Sequence, residues 1–485
     1  MKNIGDLHFQ KEILPLFDSC CNEFSRNVLM QLLSEVPDTL GEVLIRQEII
    51  KALMSNERLY RPFSYSRSEF NEVHTYVQEL HIREDEVIGG SLAIHFLFAK
   101  VKRHREQGRL SQLALFFHKV QHAWFSGLRP DRFPWEFQNR LRNIRRMLAD
   151  LDIERYQSAV RGKGLTIRDM RRLLRMLEQK CRNGEMDVFW NDFFIFEAFL
   201  SISKGIVKHH FTFPSFTREG LSIQGFYHPL IKDPVLNSID IHENVTLITG
   251  PNMSGKSTLL KSIGLCVYLA HLGLAVPAEK CEMGFFDVIS VAINLNDDIL
   301  SGYSHFMTEI ISLKKVVVEA RQARKCFAIF DELFRGTNVE DAFAISQTTV
   351  RGLTQFQHSY FFISSHLQQL KETATANPKI GTHFIECQLI DDVPVFTYRL
   401  REGWSDLRIG QIIFEREGLN ELLALPKYCP RCQASFECRV DDISQCQCNG
   451  IRLTAEDKAF ITANYTDCLC KACLLAITTS SNPSA

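Results

Sequence analysis

Three residues near the middle of the chain, Gly250, Lys256 and Ser257, have the spacing of a phosphate-binding loop, Gly-x-x-x-x-Gly-Lys-Ser. The loop follows the apolar run Val245–Thr249 and precedes a segment with helical spacing. Glycines let successive backbone N–H groups turn toward one anion, and a helix start adds its positive end. The pattern predicts that Lys256 reaches the β- and γ-phosphates of a nucleotide and that the Ser257 hydroxyl ligates Mg²⁺. The candidate nucleotide-binding residues here are Gly250, Pro251, Asn252, Met253, Ser254, Gly255, Lys256, Ser257 and Thr258.

An acidic pair, Asp331 and Glu332, follows the apolar run Cys326–Phe330, which is typical of a buried parallel strand. Such a strand end is where Mg²⁺ needs a carboxylate, so Asp331 is a second candidate ligand of the nucleotide-bound Mg²⁺. Glu332 is placed to orient or deprotonate the attacking water. The alternative is a solvated strand end, which the loop 75 residues upstream disfavours.

A third apolar run, Tyr360–Ile363, leads into the polar cluster Ser364, Ser365 and His366. A histidine beyond a third strand suits a sensor of the γ-phosphate. A purely structural histidine is the alternative, because isolated histidines more often serve that role.

From Gln224 to Leu425 the chain resembles the ATPase domain of the MutS family, the DNA mismatch-repair proteins. Matching segments read GPNMSGKST, AHLGLAVPAE, NDDILSGYSHFMTEI, DELFRGTNVEDA, SSHLQQL and YRLREGWSDLRIG. Four positions depart from the family pattern, namely Tyr227, His271, His305 and Ala342. The resemblance implies an ABC-like α/β P-loop ATPase domain of the MutS type.

That resemblance also implies a homodimer in which each ATP site is completed by the partner's signature segment, so that Ser304 would act on the partner's nucleotide. Asp331 and Glu332 would carry Mg²⁺ binding and water activation, and His366 would sense the γ-phosphate. Assembly of the composite site could gate hydrolysis, which would make ATP a switch of dimer shape.

Basic residues are concentrated between Val101 and Glu185, which hold 20 Lys and Arg against 9 Asp and Glu in a chain of net charge −1. The segments Arg142–Leu148 and Ile167–Arg182 place Leu and Met at helical spacing, with arginines on the other face. One interpretation is a surface that follows a DNA backbone. The other is a solvated basic face, or one that packs against the acidic remainder.

Residues 1–205 are predicted to be mainly helical, because apolar residues recur at helical spacing in Phe70–Glu79, Gly90–Val101 and Gln112–Phe125. Helical core and lever regions precede the ATPase in full-length MutS proteins. Complete members also carry a mismatch-reading domain, a connector, levers and a clamp, which together need several hundred residues, and 249 residues precede Gly250 here. We therefore expect the mismatch reader to be absent and the levers to be short.

Eight of the 15 cysteines lie in a short C-terminal segment with C-x2-C and C-x-C spacings. Closely spaced thiolates in a chain without a secretion signal favour Zn²⁺ over disulfides, and metal would stabilise a segment too small for an apolar core. Eight ligands could hold two ions with undetermined pairing. A disulfide knot and an iron–sulfur cluster are the alternatives. The candidate ligands are Cys429, Cys432, Cys438, Cys446, Cys448, Cys468, Cys470 and Cys473.

The tail resembles the cysteine-rich CWC family nearly end to end, which implies a metal but no reaction. The architecture expected from the sequence is multidomain: a helical core or lever-like region over 1–205, a MutS-type P-loop ATPase over 206–425, and a CWC-like zinc-binding domain over 426–485. The N-terminus lacks a signal-peptide pattern, and no apolar run reaches 18 residues. We therefore expect a cytoplasmic protein without a membrane span.

The resemblance to the MutS family, together with these patterns, implies a Mg²⁺-dependent ATPase of the MutS type that binds DNA as a homodimer, in DNA repair or recombination. The alternative is a nucleotide-gated module that binds a protein or RNA partner and hydrolyses slowly. A transporter-type ATPase is disfavoured, because the LSGGQ-type signature is missing.

Overall fold

The computed structural model divides the chain into two compact units, residues 1–407 and residues 408–485. It describes residues 2–3, 9–86, 100–293, 305–334, 336–390, 393–405, 407, 409–423, 427–436 and 446–480. Within these ranges, no helix is both long enough and apolar enough to cross a membrane.

The described residues of the first part of unit 1 are mainly helical, as the sequence predicts, whereas most of the predicted segment Gly90–Val101 lies outside the described residues. Short π and 3-10 turns at Phe9–Ile13, Glu57–Tyr60, Gln121–Phe125 and Pro130–Arg132 connect or extend the α-helices. The helices are α1 Leu14–Phe17, α2 Glu23–Ser34, α3 Leu40–Met54, α4 Arg67–Glu86, α5 Lys100–Val120, α6 Trp135–Asp150, α7 Ile153–Arg161, α8 Ile167–Arg182 and α9 Glu185–His209.

Helix α9 is the centre of this region, because it is apolar on most of its surface and packs against α2, α3, α6 and α8. Phe189, Phe193 and Phe196 are buried along it. Its carboxylate Glu197 is also buried and accepts hydrogen bonds from the Tyr65 hydroxyl at 2.6 Å and the Ser25 hydroxyl at 2.7 Å. Burial raises the pKa of Glu197, while these donors counteract that rise. A buried polar group is tolerated here because it is hydrogen-bonded.

Helix α8 has the bounds that its apolar spacing predicts. Thr166 caps it, since its side chain accepts from the Asp169 N–H at 3.2 Å while Asp169 reaches back to the Thr166 N–H at 3.2 Å. This reciprocal arrangement satisfies two backbone donors at the helix start. The buried face consists of Met170, Leu173, Leu174, Leu177 and Cys181.

The remainder of unit 1 is built on two sheets. The larger has the order β1-β7-β8-β9-β5-β10-β11 and is parallel except for the antiparallel pair β10–β11. The smaller has the order β2-β6-β3-β4. The strands are β1 Lys2–Asn3, β2 Ser215–Thr217, β3 Leu221–Phe226, β4 Asn237–Ile241, β5 Val245–Thr249, β6 Lys280–Gly284, β7 Val288–Ala292, β8 Cys326–Phe330, β9 Tyr360–Ser364, β10 Ile380–Ile390 and β11 Val393–Glu402.

Strands β5, β8 and β9 are each buried along their whole length, which explains why their sequences are nearly continuous apolar runs. The sequence predicts β5 and β8 with the observed bounds, whereas β9 continues one residue further, to Ser364. Four helices belong to this part of unit 1: α10 Lys256–His271, α11 His305–Arg321, α12 Val339–Leu353 and α13 Leu370–Thr375.

Unit 2 is small, and its described residues form short helices and one pair of two-residue strands. Its strands β12 Lys427–Tyr428 and β13 Ser435–Phe436 form an antiparallel pair. Its helices are α14 Ile409–Arg416, α15 Leu419–Leu423, α16 Ala455–Asn464 and α17 Lys471–Ser480. A few apolar side chains, among them Leu469, Leu474 and Ile477, pack with Cys429, Cys470 and Cys473.

Candidate functional site

The glycine loop, residues 250–257, joins β5 to α10 at the centre of the larger sheet. Gly250 and Gly255 have φ values of 141° and 94°, a region that favours glycine, and Gly255 is the residue at which α10 starts. Met253 also has a positive φ, 68°, although it carries a side chain. The first N–H groups of a helix have no partner within that helix, so the start of α10 offers donors to an anion.

The Lys256 side chain lies along this loop. Its Nζ donates to the carbonyl oxygens of Gly250 at 3.0 Å and Pro251 at 3.1 Å, and the residue is 5% exposed. Burial lowers the pKa of Lys256, and the nearby charges of Glu332 and Asp331 counteract that shift. The ammonium group is therefore held beside the two carboxylates that the sequence singles out.

Asp331 lies beside the glycine loop, although 74 residues separate it from Ser257. The Ser257 hydroxyl donates to Asp331 Oδ2 at 2.5 Å, and the Ser364 hydroxyl donates to Asp331 Oδ1. Three oxygen-bearing side chains, one from the first turn of α10 and two from the ends of β8 and β9, thus meet at one edge of the sheet. Carboxylate and hydroxyl oxygens are donors that Mg²⁺ accepts, so this set fits the ion.

Glu332 and His366 are in direct contact. The distance from His366 Nε2 to Glu332 Oε1 is 2.6 Å, and the Glu332 N–H donates to the Ser364 hydroxyl at 2.8 Å. Glu332 has a positive φ of 52°, a conformation that costs free energy and is often found at functional sites. The serine at the end of β9 therefore orients both acidic residues at the end of β8.

Tyr398 on β11 is a site residue that the sequence does not single out. A Cβ placed on Gly255 would lie 3.3 Å from Tyr398 Cδ1, so the tyrosine ring covers the glycine loop. Tyr398 has a φ of 58°, and its carbonyl accepts from Asn237 Nδ2 at 3.0 Å. An exposed aromatic ring at this position can stack on a planar group of a ligand. The segment YRLREGWSDLRIG contains this residue, but only the fold brings it over Gly255.

The four departures from the family pattern have different surroundings. His271 is buried, and its ring bridges the Val267 carbonyl at 2.8 Å and the Phe286 N–H at 2.8 Å, which is a structural role. The Tyr227 hydroxyl donates to the His209 carbonyl at 3.3 Å, and Ala342 is buried in α12. Ser304 and the side chain of His305 lie outside the described residues.

Four of the eight tail cysteines converge. The sulfur atoms of Cys429, Cys432, Cys470 and Cys473 all lie within 4.8 Å of one another, and Cys432 Sγ is 3.6 Å from Cys470 Sγ. Two C-x2-C pairs, 38 residues apart, therefore form one group with the ligand number of a structural zinc site. We call these residues the four-cysteine cluster.

The backbone around this cluster favours a thiolate. Burial would raise the pKa of Cys429, but hydrogen bonds from the backbone of Cys470, Cys432 and Arg431 outweigh it and lower this pKa to about 6. Because metals bind the thiolate, a lowered pKa makes Cys429 a ready ligand at neutral pH.

The remaining tail cysteines are outside this cluster. Cys446 Sγ and Cys448 Sγ are 3.0 Å apart, and neither they nor Cys468 join a group of three or more metal-ligand side chains among the described residues. Cys438 lies outside the described residues. The sequence left the pairing of the cysteines open. In the structure, Cys470 and Cys473 group with the distant pair Cys429 and Cys432, whereas the adjacent Cys468 does not join the group.

The basic segment presents part of its charge to solvent. Arg168, Arg172 and Arg175 are exposed on α8, whereas Arg171 is half-buried. Elsewhere in the segment charges are paired, as in Arg155–Asp169 at 3.0 Å and Lys180 with Asp150 at 2.6 Å. The three exposed arginines form a basic stripe on the face of α8 opposite its buried leucines.

Comparison with known families agrees with this arrangement. Residues 246–421 match the model described as MutS domain V, and residues 429–475 match the model described as cysteine-rich CWC. The chain thus contains a segment that is similar to MutS domain V, followed by a segment that is similar to the cysteine-rich CWC family. The family resemblances drawn from the sequence motifs are thereby confirmed. The MutS domain V match starts at the second residue of β5 and includes the glycine loop and both candidate acidic residues.

Similar curated proteins are named DNA mismatch repair protein MutS. The one from Bacillus subtilis (strain 168) is 30% identical over 222 residues, which is 44% of this chain and 25% of the relative. The one from Natronomonas pharaonis is 32% identical over 215 residues, 43% of this chain and 25% of the relative. The one from Staphylococcus haemolyticus is 25% identical over 337 residues, 64% of this chain and 37% of the relative. The chain thus spans well under half the length of these relatives.

Proposed function

We propose that the MutS domain V of this chain is a Mg²⁺-dependent ATPase with a P-loop, ABC-like fold. The observation that carries the proposal is the meeting of Lys256, Ser257, Asp331, Glu332 and His366 at one edge of the larger sheet. Strands β8, β9 and β5 are neighbours and parallel, so their carboxyl ends lie together. Ligands bind at this edge in open α/β sheets.

Each side chain has a distinct task in this proposal. The glycine loop, Gly250 to Thr258, holds the phosphates through its backbone N–H groups, and Lys256 neutralises the β- and γ-phosphates. Ser257 and Asp331 hold Mg²⁺, which supplies charge neutralisation of the phosphates when bound. Glu332 orients and deprotonates the attacking water, and His366, which contacts Glu332, senses the γ-phosphate.

We further propose that ATP switches the shape of a homodimer that binds DNA, and that the protein acts in DNA repair or recombination. The similarity to proteins named DNA mismatch repair protein MutS supports this, as does the basic stripe on α8. Ser304 would complete the partner's ATP site. We also propose that the chain has three domains: a helical region over 1–205, the ATPase over 206–425 and a zinc-binding tail over 426–485.

The test is the rate of ATP hydrolysis by the full chain, measured with homoduplex, mismatched duplex, four-way junction and single-stranded DNA. Stimulation by one of these DNAs would support a DNA-gated ATPase and identify the structure that it prefers. A rate that no DNA changes would contradict DNA gating and favour the nucleotide-gated binding of a protein or RNA partner.

Lys256→Ala is expected to weaken ATP binding at least about tenfold, since a hydrogen bond to a charged group contributes about 1.5–3 kcal/mol. Titration with a fluorescent ATP analogue measures the affinity. Lys280→Ala is the control, because Lys280 is exposed and pairs with Glu282 at 3.1 Å on the smaller sheet. Unchanged affinity in Lys256→Ala would remove the lysine from the phosphate site.

Replacing Arg168, Arg172 and Arg175 together with Gln is expected to weaken DNA binding and to reduce its salt dependence. The slope of log K against log salt is negative, and each lost phosphate contact reduces its magnitude by about 0.9 for duplex DNA. Binding measured at several salt concentrations gives this slope. Replacing Lys280, Arg351 and Lys371 with Gln removes the same charge from other exposed sites and serves as the control. An equal loss in both variants would show that net charge, rather than α8, attracts DNA.

A further inference from the structure

Two histidines in the basic segment turn toward one carboxylate. His118 is near the end of α5, His122 lies one turn further in the π turn Gln121–Phe125, and Glu154 is in the first turn of α7. The ring centroids of His118 and His122 are 4.3 Å apart. His122 Nε2 is 2.7 Å from Glu154 Oε1, and His118 Nε2 is 3.5 Å from Glu154 Oε2. One nitrogen from each ring and one carboxylate oxygen all lie within 4.8 Å of one another.

We propose that His118, His122 and Glu154 form a binding site for a transition-metal ion of the Zn²⁺ type, separate from the four-cysteine cluster and the ATP site. Two imidazoles and a carboxylate are the protein ligands of one common class of zinc site, which keeps a fourth position open. Imidazole nitrogen favours Zn²⁺, Ni²⁺ and Cu²⁺, whereas Mg²⁺ and Ca²⁺ prefer oxygen ligands. The site is therefore expected to ignore the Mg²⁺ that the ATPase uses.

The spacing of the ligand atoms suits such an ion. Metal–ligand distances of about 2.0–2.2 Å in a tetrahedron put ligand atoms about 3.3–3.6 Å apart. The 3.5 Å distance from His118 to Glu154 lies within that range, and the 2.7 Å distance from His122 to Glu154 is shorter than it, so rotations of the side chains alone would form the site. No movement of a helix is required.

The surrounding core holds the backbone of all three ligands in place. Phe117 and Val120 are buried on α5, Trp124 is buried in the π turn, and Ile153 and Tyr156 are buried on α7. π turns within helices are often found at functional sites, because they re-aim side chains relative to a regular helix. A preformed ligand set loses little conformational entropy on binding. An ion bound here would join α5 to α7 across the surface.

The charges near the site predict that one substitution should strengthen metal binding rather than weaken it. Glu154 supplies a negative charge at the start of α7, where a helix stabilises an anion. Arg161, in the last turn of α7, is seven residues after Glu154 and therefore lies on the same face of the helix, where its positive charge repels a cation. Removing the Arg161 charge is therefore expected to tighten metal binding, while removing a ligand weakens it.

The test is calorimetric titration of the full chain with ZnSO₄, after the protein has been saturated with Zn²⁺ and dialysed, so that the tail keeps its tightly bound metal. The wild type is expected to bind one more ion than His122→Ala or Glu154→Gln, or to bind that ion at least tenfold more tightly than these variants do. Arg161→Gln is expected to bind the ion more tightly than the wild type. His104→Ala is the matched control, because His104 is an exposed histidine on the same helix.

Melting temperatures measured without added metal check that the variants fold. If His122→Ala does not fold, Glu154→Gln decides, since it keeps the size of the side chain. Equal binding by the wild type, His122→Ala and Glu154→Gln would overturn the proposal. The three residues would then form only ion pairs between one carboxylate and two imidazoles. Competition by millimolar MgCl₂ would overturn the transition-metal selectivity.

Discussion

Glu332→Gln is expected to lower the rate of ATP hydrolysis about 10²–10⁴-fold, because a positioned general base contributes that much to catalysis. The amide keeps the size of the side chain and the contact with His366, which is 2.6 Å away in the wild type. Binding of ATP should remain, since Lys256, Ser257 and Asp331 are unchanged. Steady-state hydrolysis and equilibrium binding of ATP, measured on the same preparation, separate the two effects.

The matched control is Glu372→Gln, which removes an exposed carboxylate from the nearby helix α13. We expect wild-type hydrolysis from that variant. Undiminished turnover in Glu332→Gln would remove Glu332 from its proposed role. His366→Ala gives an independent check, because loss of the neighbouring imidazole should reduce turnover more than it reduces ATP affinity.

Cys470→Ser is expected to lower the zinc content by one ion per chain and to open the tail to protease. The apolar cluster of unit 2 is small and includes Cys429, Cys470 and Cys473 themselves, so metal binding and folding are coupled there. Structural zinc sites contribute about 10–16 kcal/mol of binding free energy, which is more than so few apolar side chains supply. Zinc content by mass spectrometry and limited proteolysis measure the two effects.

Cys468→Ser is the control for this substitution, because Cys468 is exposed and lies outside the four-cysteine cluster. Its tail should stay resistant to protease. A resistant tail in Cys470→Ser, or iron in place of zinc, would contradict the proposed zinc site. Wild-type protein with two zinc ions per chain would show that cysteines outside the cluster hold the second ion.

The sequence predicted those features that depend on neighbouring residues. The glycine loop, the strands β5 and β8 and the helix α8 all appear with the expected bounds, because apolar runs, glycine spacing and helical periodicity are local signals. The acidic pair after β8 could also be placed at the candidate site from the sequence, because it follows a predicted parallel strand directly. Carboxyl ends of neighbouring parallel strands must share one edge of a sheet.

Other features required the tertiary structure. Nothing in the local pattern indicated that Ser364 would orient both Asp331 and Glu332, or that the Tyr398 ring would cover Gly255. Both contacts depend on the order of strands in the sheet and on the register of a hairpin. Strand order is set by packing across the whole domain, which short sequence motifs do not encode.

By itself, the sequence determined that a loop with the spacing Gly-x-x-x-x-Gly-Lys-Ser, an acidic strand end and a cysteine-rich tail are present, since each consists of residues a few positions apart. The fold decided which distant groups meet. Cys432 and Cys470 are 38 residues apart and His122 and Glu154 are 32 residues apart, yet each pair is in contact. Such pairs form only when helices and turns pack against a common core, because chain connectivity alone leaves their separation free.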